Sequence, residues 1–235
     1  MQQRPQYPPL ENEMSRRKSS GFTLIEIAIV LVIIGLMLGG VLKGQELINS
    51  AKVKNLAGDF RNIPVFIYGY QDKFKALPGD DAAATNHVTA DRNGDGNGVI
   101  DGKWNDVAAA DTEAFNFWQH ARLAGLAPGP TDKGNADYIP RNASSGKIGI
   151  QSGSATAPAI KDKNGSPIRG SYVICSDGIL GKFVKQLDST MDDGNIGTGT
   201  MLAMKTYSFG GTADDTSATA TAIDEAAGYT VCMGV

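Results

Sequence analysis

Two histidines, two cysteines and an aromatic share of 7% leave little material for catalysis in a chain of 235 residues. Gly-x-Ser-x-Gly, His-Glu-x-x-His and P-loop patterns are missing, which removes the common hydrolase, metalloprotease and nucleotide-binding signatures. Gly94, Gly96 and Gly98 have neither the spacing nor the strand-to-helix setting of a dinucleotide loop. His87 and His120 stand alone in sequence, and each is expected to be a surface or packed residue rather than a base or ligand. Charge of one sign is also missing: 22 basic against 25 acidic residues give a net −3, so no basic surplus points to nucleic acid. The chain is therefore expected not to be an enzyme, with no catalytic residues and no required cofactor.

Charge is missing most completely from Phe22 to Leu42, where Glu26 is the single ionisable group in an apolar run. At ~1.5 Å per residue this helix would span roughly 31 Å, close to the ~30 Å of a bilayer core. Arg16, Arg17 and Lys18 precede it, and basic flanks stay on the cytoplasmic side, which places everything from Lys43 onward outside the cytoplasm. A buried core helix and a cleaved secretory signal are the rival readings. The secretory signal fits less well, because its apolar part runs only ~7–15 residues and its small-residue cue follows that part instead of preceding it.

Cys175 and Cys232 both fall in the exported portion, where an even count reads as a disulfide; a pair of free buried thiols is the other reading. The bond would close a loop worth about 4 kcal/mol in the chain-entropy account.

The segment Lys18-Ser19-Ser20-Gly21-Phe22-Thr23-Leu24-Ile25-Glu26 resembles the processing and methylation site of type IV prepilins and of type II secretion pseudopilins. The resemblance is strong over residues 16 to 75 and patchier beyond. It implies that a membrane-embedded prepilin peptidase cuts between Gly21 and Phe22 and methylates the new Phe22 amine, making Glu26 the fifth residue of the mature chain. A 21-residue leader is more like the type IVb group, and a phenylalanine start more like type IVa pilins and pseudopilins, so the subclass stays open.

An ionised carboxylate at membrane depth costs ~2.5–3.5 kcal/mol on insertion scales unless it is paired. Cutting after Gly21 frees a cation at the head of the same helix, and in line with the family Glu26 of an incoming subunit is expected to meet the Phe22 ammonium of its neighbour. A wet glutamate near the membrane surface is the plainer alternative. Gly35, Gly39, Gly40 and Gly44 would let apolar helices approach closely, with Gly35 and Gly39 at small-xxx-small spacing.

The implied fold is α+β: a long N-terminal helix, half transmembrane and half packed on a domain, against a small antiparallel sheet, as in type IV pilins. Residues 1–21 are the expected leader, 22–42 the membrane and polymerisation helix, 43–76 its continuation and 77–235 a globular extracytoplasmic domain. Leu47, Ile48, Ala51, Leu56, Phe60 and Ile63 are expected on the inward face. Pro64 is expected to kink or break the helix, and Leu77-Pro78-Gly79 to end it. Helical periodicity is lost from Ala76 to Asp111. It returns at Thr112 to Leu126, with Phe115, Trp118 and Leu126 facing inward, and again in a short helix over Gly181 to Met191. Strand character marks Lys147 to Gln151, Gly170 to Cys175, Met201 to Phe209 and Gly228 to Met233. Asp192-Asp193-Gly194-Asn195 with Gly197-Thr198-Gly199 resembles a loop in the cysteine-bounded region of some pilin-like proteins.

Asp91, Asn93, Asp95, Asn97 and Asp101 place oxygen side chains as in the opening of an EF-hand loop, a candidate calcium shell, whereas Gly102 occupies the position of the bidentate glutamate. A solvated, turn-rich loop is the other reading of the same residues.

The expected function is a structural pilin or pseudopilin subunit, acting in a filament for adhesion, motility, DNA uptake or secretion. Its partners would be like subunits, the peptidase and an inner-membrane assembly platform. It would sit in the bacterial inner membrane, with a periplasmic domain, and then enter a pilus or a periplasmic pseudopilus. The alternative is a single-pass anchored binding module that never polymerises, calcium-dependent if the Asp91–Asp101 loop holds the ion.

Overall fold

The computed structural model describes residues 21–205 and 222–235. The chain divides into two compact units, Met1–Glu46 and Leu47–Val235.

Helix α1 runs over Leu24–Phe74 and contributes to both units. Within the first unit it is long and apolar enough to cross a membrane, and none of that stretch is buried in protein. Phe22, Leu24 and Leu36 are exposed, as the apolar faces of Ile29, Val32 and Leu42 are. In water such a surface is unfavourable by ~25 cal/mol for each Å², so it requires either lipid or other apolar helices around it.

In the second unit α1 buries Val53, Leu56, Ala57, Phe60, Ile63, Ile67 and Tyr70. Leu56, Phe60 and Ile63 are where the spacing put them, but Leu47, Ile48 and Ala51 are exposed. The correction has a simple cause: helical periodicity shows which residues share a face and carries no information on where along the axis the covering layer starts. A second correction concerns Pro64, which lies inside α1 without breaking it. An interior proline costs ~3 kcal/mol, and the flanking Phe60, Ile63 and Ile67, all buried, offset that at ~1.5–3 kcal/mol each. The helix ends at Phe74, short of Leu77, where Lys75 turns to a φ of 58°.

After one short helix, α2 (Ala84–His87), Thr112 caps α3 (Glu113–Leu123) by accepting the Phe115 N–H on its side chain. Phe115, Phe117 and Trp118 enter the main core, whereas Leu126 is only partly buried. Helix α4 occupies Gly181–Met191, as expected from the sequence.

Four strands, β1 (Ile148–Ser152), β2 (Tyr172–Leu180), β3 (Met201–Lys205) and β4 (Gly228–Gly234), form one antiparallel sheet in the order β1-β2-β4-β3. Strand β2 runs past the predicted Cys175 because a bulge between Ser176 and Ile179 absorbs the Asp177-Gly178 turn signal. The last residues of the strand predicted over Met201 to Phe209 lie outside the described residues. Alternation sends Ile148, Ile150, Ile174, Val231 and Met233 into one core with α1, α3 and α4. The opposite face sends Val173, Cys175, Leu202, Met204 and Cys232 against Trp104, Ile160 and Ile168. The architecture is the expected α+β arrangement, with the sheet covered on both faces.

The Cys175–Cys232 disulfide forms, joining residues that face each other directly in the β2–β4 register. Both cysteines are buried.

One acid on α1 stands out energetically. Asp59 borders a cleft of about 190 Å³ lined by Ile63, Phe66, Trp118, Pro128 and Ile148, and burial there pushes its carboxyl up to about 6. Arg141, at the same cleft, pairs instead with Asp137 at 3.8 Å. A folded-state value above the unfolded 3.8 means that stability is fully present below about pH 4 and declines as pH rises through 6. Asp59→Asn is therefore expected to gain about 1 kcal/mol at neutral pH, allowing for partial exposure, and nothing near pH 4. Urea unfolding at both pH values measures this, and an equal effect at each would refute the account.

Candidate processing and assembly site

Gly21, Phe22 and Thr23 are non-helical and exposed, so the peptide bond between Gly21 and Phe22 lies in open chain immediately ahead of α1. A Cβ added to Gly21 would meet nothing within 4 Å. Thr23 then starts the helix. The Glu26 N–H approaches the Thr23 hydroxyl oxygen at 3.3 Å, and Glu26 Oε2 accepts both the Thr23 N–H and its hydroxyl at 2.8 Å. This reciprocal pair is a capping box, which satisfies backbone donors that an α-helix leaves unpaired in its first turn.

Glu26 is thus tied to Thr23 within one chain while the apolar surface around it stays uncovered. Its acidic side chain also lies at the positive end of the helix dipole. The capping role was not anticipated, although Thr23-Leu24-Ile25-Glu26 has the spacing that signals it. Gly35, Gly39, Gly40 and Gly44 meet no atoms in this single chain and leave smooth surface on the same helix.

The side chains considered for calcium divide into two groups. Asp91 accepts from the Gln119 carboxamide at 2.6 Å, and Asn93 accepts the Thr85 N–H at 2.8 Å. Asp95, Asn97 and Asp101 gather, the Asn97 carboxamide donating to Asp95 at 2.9 Å and to Asp101 at 3.3 Å. Two acids from elsewhere join them. Asp80 accepts the N–H groups of Asn97 and Gly98 at 3.0 and 2.9 Å, and Glu113 accepts those of Asp95 and Asp101 at 2.8 and 3.0 Å. One oxygen from each of Asp80, Asp95 and Glu113 falls within 4.8 Å of the others. Burial raises both Asp80 and Glu113 above the ordinary carboxylate range. Gly102 cannot be replaced by an acid here: its φ is +111°, and a Cβ would lie 2.5 Å from the Thr112 hydroxyl. Glu113 and Asp80 were missed because they approach the loop through space.

The two histidines are structural. Buried His120 accepts the Gly79 N–H on Nδ1 and donates from Nε2 to the Arg92 carbonyl, each at 3.0 Å, and burial lowers its pKa. His87 Nδ1 lies 2.7 Å from Asp81, which also accepts from the Tyr70 hydroxyl at 2.7 Å.

Residues 16–42 match the family described as the prokaryotic N-terminal methylation motif. The chain carries the hallmark of type IV prepilins and pseudopilins. No match was found among curated proteins or among solved structures. The matched span covers the open Gly21–Phe22 bond, the Thr23–Glu26 cap and the apolar part of α1 through Leu42. The motif implies handling by a prepilin peptidase in general, and the apolar N-terminal helix is suited to membrane anchoring. The motif is that of structural substrates rather than enzymes.

Proposed function

We propose that this chain is cut between Gly21 and Phe22, methylated on the Phe22 amine and assembled as a structural subunit of a type IV pilus-like or pseudopilus filament. The observation that carries the reading is the juxtaposition of an open Gly21–Phe22 bond, a capped Glu26 and an uncovered apolar helix within one matched segment.

Removal of the residues up to Gly21 takes away Arg16, Arg17 and Lys18, the charges that hold the helix start at the cytoplasmic face. It also creates an ammonium one residue before the cap. The subunit can then leave the bilayer only if other apolar helices replace the lipid, and a filament core of packed α1 helices supplies that environment. The glycines at 35, 39, 40 and 44 permit close backbone approach there. The domain at Leu47–Val235 would form the filament surface, with its fold stapled for an oxidising compartment by Cys175–Cys232.

Mass spectrometry of the protein extracted from cells with and without prepilin peptidase tests the reading. The expected mature species begins at Phe22 and carries one added methyl group, and the peptidase-deficient cells retain the leader. Identical unprocessed termini in both strains would refute it in favour of a non-polymerising anchored module.

A further inference from the structure

Helix α4 ends in a concentration of negative charge that no ion pair among the described residues answers. Asp188 lies in its last turn, Asp192 is its C-cap, and Asp193 follows. A helix C-terminus is itself the negative end of the dipole, and no basic residue occupies the last turn of α4. No salt bridge reaches any of these three acids among the described residues.

Asp188 is 1% exposed, and neither of its carboxylate oxygens has a hydrogen-bond partner at normal geometry. Buried carboxylates are ordinarily paired, so this one calls for a specific explanation. Burial raises its pKa, the neighbouring Asp193 and Asp192 raise it further, and the Gly194 amide opposes this only weakly.

The surrounding acids are held in place by the chain. Asp192 Oδ2 accepts the N–H groups of Thr200 and Met201 at 2.7 and 2.8 Å, which fixes the carboxylate and leaves Oδ1 available. Asp193 accepts the Asn195 N–H on one oxygen and the Thr198 hydroxyl on the other, at 2.8 and 2.7 Å, and each oxygen keeps a lone pair. Lys163 exerts a weak cationic influence on Asp193.

One oxygen from each acid lies within 4.8 Å of the other two. Two oxygens on opposite sides of a calcium ion are about 4.8 Å apart, so the three can share one cation without rearrangement of the turn. Asp193 is exposed and Asp192 partly so, which gives an entry path, while Asp188 forms the floor.

We propose that the turn after α4 is a binding site for a hard divalent cation, held by Asp188, Asp192 and Asp193 and completed by water. The site is separate from the Asp91–Asp101 loop and does not depend on processing at Gly21. An all-oxygen, three-carboxylate set selects calcium or magnesium over softer metals.

Calorimetric titration of the full chain in detergent micelles, with calcium chloride and magnesium chloride in separate runs, tests this. The expected result is a site saturating below about 10 mM of either ion, weakened at least about tenfold in Asp188→Asn and in Asp193→Asn and unchanged in Asp72→Asn, an exposed acid that belongs to neither cluster. Asp193 is exposed, so its variant keeps the test interpretable should Asp188→Asn fold poorly. A stronger response to calcium identifies the larger ion as the ligand, and a stronger response to magnesium the smaller. The proposal is overturned by silence with both ions, by a response that survives undiminished in both turn variants, or by one weakened equally in Asp72→Asn.

Discussion

Glu26→Leu is expected to lower incorporation into filaments by about 100-fold or more while leaving cleavage at Gly21 intact. Insertion scales assign ~2.5–3.5 kcal/mol to an unpaired ionised acid at membrane depth, and an ammonium stranded there is comparably unfavourable. At 1.36 kcal/mol for each tenfold, that range is a factor of about 70 to 400. The structure adds a complication, because Glu26 also completes the Thr23 cap, worth ~1 kcal/mol in its own right. Leucine removes both contributions. Glu26→Gln separates them, since glutamine serves equally in a capping box and carries no charge. If the carboxylate sets subunit register by pairing with the Phe22 amine, the Gln variant fails nearly as completely as the Leu variant. Quantifying each variant in filaments sheared from cells decides the matter: wild-type incorporation of Glu26→Gln would mean that the cap matters and the charge does not.

Loss of the disulfide is the other large expected effect. Cys175→Ala combined with Cys232→Ala should lower unfolding stability by about 4 kcal/mol, the chain-entropy value for a loop of this length. The bond ties β2 to β4, and β4 lies between β2 and β3, so the staple holds an interior strand that reaches its place late in the sequence. Both sulfur atoms are also packed among Val173, Leu202, Met204 and Ile160, which adds lost contacts to the entropy change. Denaturant unfolding of the full chain, oxidised, reduced and doubly substituted, measures the effect. A loss below about 1 kcal/mol would show that the β2–β4 ladder needs no covalent support.

The two parts of the molecule differ in how legible they were. The apolar stretch, the Gly21–Phe22 junction and Glu26 follow from a local run of residues, and the cysteine pair from simple counting. Helix α4 lies where a short helix was expected, and its apolar residues Phe183, Val184 and Leu187, buried in the structure, recur at helical spacing. By contrast, Leu47 and Ile48 were placed on the inward face and are exposed, since their periodicity continues that of neighbours that are buried. The acids Asp80 and Glu113, 33 positions apart, meet Asp95 only because α3 packs back over the turn after α1.

What the sequence by itself determined was a membrane-competent helix with a processing motif at its head, an α+β domain behind it and one possible cysteine pairing. These depend on hydrophobicity, periodicity and spacing along the chain, which act over a few turns. Tertiary structure alone decided where burial on α1 begins, that Pro64 is tolerated, which carboxylates converge and that Asp188 is buried with no hydrogen-bond partner at normal geometry. Those outcomes depend on which distant segments cover a given face, because the electrostatic cost of a carboxylate is set by the atoms folded around it.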